Sequence, residues 1–341
     1  MKIALVRNKS RDGVINKFGQ PCPEAYGKST IQSVLDALTA SGHEVVCLEG
    51  DKTLLAQLEA FMPADPDRRP TGMVFNMAYG IQGDSRYTHV PAMLEMAGVP
   101  YTGASPLGHA LSLDKIVTKV QMQSVGVPTP AFAVMTRPDD PPPSLRYPLV
   151  VKPRHESTSF GLCLVHDLQQ LRDGVATVTG RYQQDALVEE YVAGREVCVA
   201  LLGNQPVECL PIVEVDFGAR QDCLMTCDDK RHLRSDEPRR VCPANLDPAL
   251  AEQLRRLAVA TFRACHCQDY SRVDVRIDDS GHPFVLEINS MAALSPKSSF
   301  VLAATTAGYD FQSLIAQVVH VAHNRYFSAP APRDSGPPAD N

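Results

Sequence analysis

From Ser271 to Ser290 the chain reads Ser-Arg-Val-Asp-Val-Arg-Ile-Asp-Asp-Ser-Gly-His-Pro-Phe-Val-Leu-Glu-Ile-Asn-Ser. Two runs of strict alternation flank a turn-rich Asp278-Asp279-Ser280-Gly281, the pattern of a β-hairpin. With Asp279-Ser280 at the tip, Arg272 lies opposite Glu287 and Asp274 opposite Val285. Faces alternate along a strand, so Val273, Val275, Ile277, Phe284, Leu286 and Ile288 share one face. Arg272, Asp274, Glu287 and Asn289 share the other.

That second face is unusual for a solvated surface. Asp274 and Glu287, as diagonal neighbours, start about 7–8 Å apart, and Asn289 adds a neutral oxygen beside them. Such a set suits Mg²⁺, a hard cation that takes oxygen ligands and shares them with phosphates. Two ions about 3.5–4 Å apart also fit. Taken alone, the stretch is equally well explained as an amphipathic hairpin with a polar outer face.

The remaining chain narrows the choice. At 341 residues, 44% apolar and 21% charged, it is long enough for two or three globular domains. No apolar run approaches the roughly 18 residues of a membrane span, and Met1–Arg7 reads as a buried strand, not a signal peptide. The expectation is a cytoplasmic protein without a membrane. A net charge of −6 argues against nucleic acid as a partner. Ten cysteines at irregular spacing read as reduced thiols.

Over the first hundred residues, short apolar strands (Lys2–Arg7, His43–Leu48, Met73–Asn76) alternate with helices (Ser29–Ala40, His89–Ala97) stopped by Gly42 and Gly98. Alternation of this kind implies a parallel α/β sheet with its ligands beyond the strands' carboxyl ends. The loop from Asn8 to Lys28, carrying Glu24, lies there, as does the turn Ala78–Asp84. Ser112 or Asp114 is the candidate cap of a helix reaching Val125. The proline-rich stretch Pro128–Pro148 reads as an extended connector. A buried strand, Leu149-Val150-Val151, then delivers Lys152, and the polar loop Arg154–Gly161 suits backbone amides folded over phosphates. Ala186–Glu189 ends at Glu190, Tyr191 and Val192, with Glu196 just beyond. This is a plausible nucleotide edge, although a hairpin with charged turns accounts for it equally well. Val215–Ala244 has no clear periodicity, which suggests a lid or a disordered stretch. Pro248–Cys265 is an amphipathic helix, Ser298–His320 is mostly helical, and residues 326–341 read as a disordered tail.

In order, Val99–Ser105 with Ser112-Leu113-Asp114-Lys115, then Val150–Gly161, Val188–Glu196 and Arg272–Asn289 resemble the ATP-grasp ligases, most closely the D-alanine–D-alanine ligases. The resemblance runs from Asn76 to about Val319. It implies an ATP-grasp fold of α/β (α+β) class: a parallel α/β domain over residues 1–103, a central subdomain over 104–186 and a C-terminal subdomain over 187–325 that together clamp ATP. It implies Lys115 and Lys152 on the ATP phosphates, with Lys230 or Arg220 as the lid cation. Glu189 and Val192, at the strand end with Glu190 and Tyr191, would meet the adenine, and Glu196 the ribose. Asp274, Glu287 and Asn289 would hold two Mg²⁺ ions, or Mn²⁺ in their place. Thr158 and Ser159 would cover the γ-phosphate, Arg272 would stabilise developing charge, and Ser298 would meet the carboxylate of the incoming amino acid. Glu24 would meet the ammonium of the first one.

The implied reaction is peptide-bond formation between amino acids through an acyl phosphate, in a homodimer. The chain departs from the family pattern where the amino acids would sit: Tyr79 replaces a histidine, Asp84 a glutamate, and Ser290–Leu294 the usual Thr-Ser-Pro-Gly-Met. A ligase of a specialised biosynthetic pathway, or an ATP-binding regulator without catalysis, are the competing readings.

Overall fold

The computed structural model describes residues 1–9, 24–220, 224 and 238–328. Three sheets frame it. The first is parallel, with β1 (Lys2–Arg7) between β2 (Glu44–Glu49) and β3 (Gly72–Met77). Parallel neighbours need crossover connections, and α1 (Lys28–Ala40) and α2 (Leu54–Phe61) lie on them. All six residues of β3 are buried, as a strand covered on both faces requires.

Two helices follow α3 (His89–Met96) before the next sheet. In α4 (Pro106–Leu113), Ser105 accepts a hydrogen bond from the Gly108 amide. In α5 (Lys115–Ser124), the cap is Asp114, which accepts from the amides of Ile116 and Val117, both at 3.1 Å. Ser112 sits inside α4, so the cap is settled for Asp114.

The second sheet is antiparallel, in the order β4 (Phe132–Met135), β7 (Ala186–Glu190), β5 (Leu149–Pro153), β6 (Cys163–Val165). Helix α6 (Leu168–Thr177) backs it, burying Leu171 and Val175 against Leu149, Val151 and Val188. Strand β4 corrects the expectation of an unstructured connector. Pro130 and Pro138 flank Phe132–Met135 without interrupting it, and those four residues are free to pair at the sheet edge.

The third sheet runs β11 (Arg239–Val241), β10 (Val213–Asp216), β8 (Arg195–Leu202), β12 (Tyr270–Ile277), β13 (Pro283–Asn289), with β9 (Glu208–Cys209) beside β8. Helix α7 (Pro248–Ala264) covers one face over Val197, Val199, Val273, Val275 and Val285. On the opposite face, Cys198, Ala200 and Val213 pack into a core shared with Phe300 of α8 (Ser299–Thr306), Ile315 of α9 (Phe311–Phe327) and Ile3 and Phe75 of the first sheet. The buried carboxylate of Asp269 ties these parts together, accepting from the Gly103 amide (2.8 Å), Asn204 (2.9 Å) and Arg325 (2.9 Å). The helix expected over Ser298–His320 is therefore two helices, separated at Gly308. The second runs through Phe327, into the stretch expected as a tail.

The hairpin forms with a different register. Arg272 pairs with Asn289, Val273 with Ile288 and Asp274 with Glu287, after which the register shifts and Val275 pairs with Val285. Leu286 is the extra residue of a β-bulge, which reverses the alternation on its strand. Val285, not Leu286, thus enters the core with Ile288. The expected pairings of Arg272 with Glu287 and Asp274 with Val285 are corrected, as is the placing of Phe284 and Leu286 on the apolar face.

Candidate active site

The second and third sheets meet around two adjoining cavities of about 350 Å³ and about 70 Å³. Lys115, Ser157, Glu196, Asp274 and Glu287 line both. Lys115 opens α5, Lys152 is the penultimate residue of β5 and Glu196 the second of β8, while Asp274 and Glu287 lie within β12 and β13 and Ser157 in the loop after β5.

Lys152 is buried and lines the smaller cavity. Its ammonium lies 2.5 Å from Glu189. The other Glu189 oxygen meets Lys119, which also donates to Thr129 at 2.5 Å. Burial raises the Glu189 pKa, but the two ammoniums outweigh it and hold the carboxyl below the usual range. Burial also pushes Lys119 down to about 8, against the pull of Glu189. Glu189, expected at the adenine, is thus the shared counter-ion of two lysines. Lys119 was not anticipated, although it lies four residues from Lys115 on one helix and so on the same face.

Beside it, Arg276 organises the expected nucleotide edge. Its side chain is 3% exposed, and its guanidinium donates to the carbonyl oxygens of Val192 (3.0 Å) and Gly194 (3.3 Å), the Tyr191 hydroxyl (3.0 Å) and the Glu196 carboxylate (3.2 Å). It also lies over the Tyr191 ring, 5.1 Å from the centroid. Tyr191, Val192 and Glu196 therefore share one fastening. Glu190 points elsewhere, to Arg146 at 2.7 Å on the surface, and lines neither cavity.

The loop after β5 folds across both cavities. Thr158 lines the larger and Ser159 the smaller. Both adopt left-handed backbone, φ +54° and +57°, which costs non-glycine residues about 1–3 kcal/mol each and gathers at functional sites. Gly161, φ +69°, closes the loop where a Cβ would lie 2.7 Å from both Pro153 and Tyr182 side-chain carbons. The Glu156 carbonyl accepts from Lys115 Nζ, which also lies 3.5 Å from Glu287.

Asp274, Glu287 and Asn289 line the larger cavity in one patch of the hairpin face. Arg272 holds Asp274 through two bonds of 2.6 and 2.8 Å, and the Asn289 amide donates to Asp274 at 3.0 Å. That contact leaves the Asn289 carbonyl oxygen for a cation. Among the described residues no group of three or more His, Cys, Asp and Glu side chains could hold a metal ion. Two carboxylates and an amide fit instead a Mg²⁺ that completes its shell with water and phosphate oxygens.

Beyond this row the cavity is walled by Tyr26 and Tyr79, stacked with centroids 5.0 Å apart, and by Tyr87, 5.3 Å from Tyr79. Burial raises all three phenol pKa values, that of Tyr26 to about 12. Glu24 is buried behind them. It accepts from Arg86 (3.3 Å), the Ser157 amide (3.2 Å) and the Tyr87 and Ser157 hydroxyls. The structure therefore makes Glu24 a brace between the tyrosine wall and the 156–161 loop; it does not line the cavity with the other expected residues. Ser298 lines it, capping α8 while donating to the Ala293 carbonyl at 2.6 Å. Arg220 closes a turn onto Phe217 after β10, and Lys230 lies outside the described residues.

A family model described as the D-ala D-ala ligase C-terminus matches residues 121–320. An uncharacterised protein of Sinorhizobium fredii, y4sG, is 56% identical over 331 residues, covering 96% of this chain and 98% of its own length. The D-alanine–D-alanine ligase of Xanthomonas axonopodis pv. citri is 34% identical over 294 residues, 84% of this chain and 87% of its own. In fold, the chain is similar to the crystal structure of D-alanine–D-alanine ligase from Bacillus anthracis complexed with ATP. The TM-score is 0.73 at 20% identity, over 95% of this chain and 98% of that one.

Proposed function

The chain belongs to the D-alanine–D-alanine ligase family, and from that membership we propose that it joins two amino acids, activating the carboxylate of one for attack by the amine of the other. It is an ATP-dependent ligase that forms a C–N bond. The observation that carries the residue assignments is the convergence of Lys115, Asp274, Glu287 and Arg272 on one cavity, with Lys152 in the adjoining one.

In the reaction we propose, a carboxylate oxygen of the first amino acid attacks the γ-phosphorus of ATP and the bond to ADP breaks, leaving an acyl phosphate. The deprotonated amine of the second attacks the acyl carbon. The carbon–oxygen bond to phosphate then breaks, giving the amide and inorganic phosphate. Lys115 and Lys152 bind phosphate oxygens, the Val192 backbone the adenine and Glu196 the ribose. Thr158 and Ser159, already in the strained conformation of a closed loop, exclude water from the transferring group. Arg272, kept charged by Asp274, faces the oxygens on which charge develops, and the turn at Ser298 meets the second carboxylate. Transfer of this kind is catalysed mainly by positioning and electrostatics. Mg²⁺ held by Asp274, Glu287 and Asn289 would neutralise phosphate charge. No helix among the described residues is long and apolar enough to cross a membrane. A cytoplasmic location and a homodimer are proposed on family membership.

The test is phosphate release from ATP and Mg²⁺ across pairs of D- and L-amino acids, with mass spectrometry of the products. ADP and phosphate should appear only with a suitable pair, beside a product whose mass is the sum of the two less water. Absence of amino-acid-stimulated ADP release over the whole panel would refute the reading.

A further inference from the structure

Two cations not used in this chemistry face the larger cavity. Arg240 on β11 is in register with Val215 on β10, which is in register with Glu196 on β8. Residues directly opposed across a ladder share a face, and all three line the cavity. Arg240 therefore reaches inward from the sheet edge. Its Nε is buried and meets no hydrogen-bond acceptor among the described residues. Buried donors are paired in the great majority of folded proteins, so an unpaired one on a residue that lines a cavity marks a place for an acceptor.

The second cation is Lys297. It sits at the corner of the turn closed by the Ser298 amide on the Ser295 carbonyl (2.9 Å), directly before the residue that caps α8. It is exposed, lines the cavity and has no ion pair among the described residues. Both cations line the larger cavity and neither lines the smaller one, where Lys152 stands. Asp274 already neutralises Arg272. Among the described residues, the positive charge left without a counter-ion thus faces the larger cavity, where Lys297 directly precedes Ser298, beyond what one α-carboxylate needs.

We infer that the amine-donating substrate carries a second anionic group, as an aminodicarboxylic acid does, and that Arg240 and Lys297 bind it. The guanidinium of Arg240 can meet a carboxylate through two parallel bonds, while Lys297 supplies a point charge. The inference rests on the ligase reading above and names the acceptor class for that reaction.

The test is steady-state phosphate release by the full chain with ATP and Mg²⁺, comparing aspartate and glutamate with alanine as acceptors, each in both configurations, over the same panel of first substrates. The best dicarboxylic acceptor should exceed the best neutral one in kcat/KM by about tenfold or more, the worth of one charge-assisted hydrogen bond. Arg240→Gln and, at an exposed site with little bearing on folding, Lys297→Gln should each reduce that preference by about tenfold with little change in the KM for ATP. ADP release that favours neutral acceptors overturns the inference and leaves the ligase reading standing. So does a preference that neither variant moves, including the case in which Arg240→Gln raises only the KM for ATP and so belongs to the triphosphate. No ADP release with any pair overturns both.

Discussion

Replacing Arg276 by methionine tests whether the nucleotide edge is held from beneath. The substitution keeps an apolar stem but removes the hydrogen-bonded contacts to Val192, Gly194, Tyr191 and Glu196, from a side chain 3% exposed. Removing one partner of a buried ion pair costs about 3–5 kcal/mol, because the other charge stays behind. Glu196 is the charge left here, its side chain 16% exposed, so the lower half of that range applies. Unfolding entropy of about 2.1 cal/mol/K per residue over a chain of this length converts about 4 kcal/mol into a fall in Tm of roughly 6 °C. ATP affinity should fall further than stability alone requires, because the Val192 carbonyl and the Glu196 carboxylate lose their orientation together. Two misplaced contacts of about 1 kcal/mol each amount to roughly 30-fold in Kd. Arg276→Lys separates charge from geometry, since an ammonium cannot span the same four acceptors. Calorimetry with a non-hydrolysable ATP analogue and thermal unfolding with and without it are the measurements. If Arg276→Met binds the analogue as tightly as the parent chain does, the edge is not organised by this guanidinium.

Three further predictions concern the charged residues of the site and a buried histidine behind it. Glu287→Gln should lower kcat by about 10²–10³-fold while nucleotide binding survives, read from phosphate release against a Mg²⁺ titration. Lys119→Met leaves the second oxygen of buried Glu189 unpaired and should destabilise by about 3–5 kcal/mol in urea unfolding. The double variant Lys119→Met/Glu189→Gln should lose less than the sum of the two single changes. Burial pushes His109 down to about 3, below its unfolded value near 6.5. The unfolded chain then takes up the proton first, so this contribution to stability is present above about pH 6.5 and is lost as pH falls, by about 1.4 kcal/mol per unit. His109→Gln should flatten that slope by one proton.

The clustering of Asp274, Glu287 and Asn289 was legible because the expected and observed registers differ by two residues, an even shift that leaves all three on one face. The partners themselves were not. Leu286 is apolar and suits either side of a strand, so nothing in its identity reveals the bulge. Lys152 was visible as the end of an unmistakable buried strand, whereas its counter-ion was misplaced. Glu189 looks like a strand terminus offering a carboxylate, and only the approach of α5 brings Lys119 to neutralise it. Tyr26, Tyr79 and Tyr87 are brought together by the parallel sheet, a long-range product of β1 and β3 that local pattern does not contain. Arg240 was hidden for another reason. It lies on a three-residue edge strand after a stretch without periodicity, and its facing follows only from its register with Val215 and Glu196.

The bulge at Leu286 reads differently once deletion is imagined. Removing Leu286 would join Val285 directly to Glu287, leaving Asp274 opposite Glu287 and Val275 opposite Val285, which is a regular ladder with both faces intact. The hairpin therefore has no need of this residue for its pairing. What it adds is one leucine beside Lys152 and Phe160 in the smaller cavity, an apolar wall where every strand around it supplies charge. On the ligase reading, that wall stands on the side of the cavity where the nucleotide would lie.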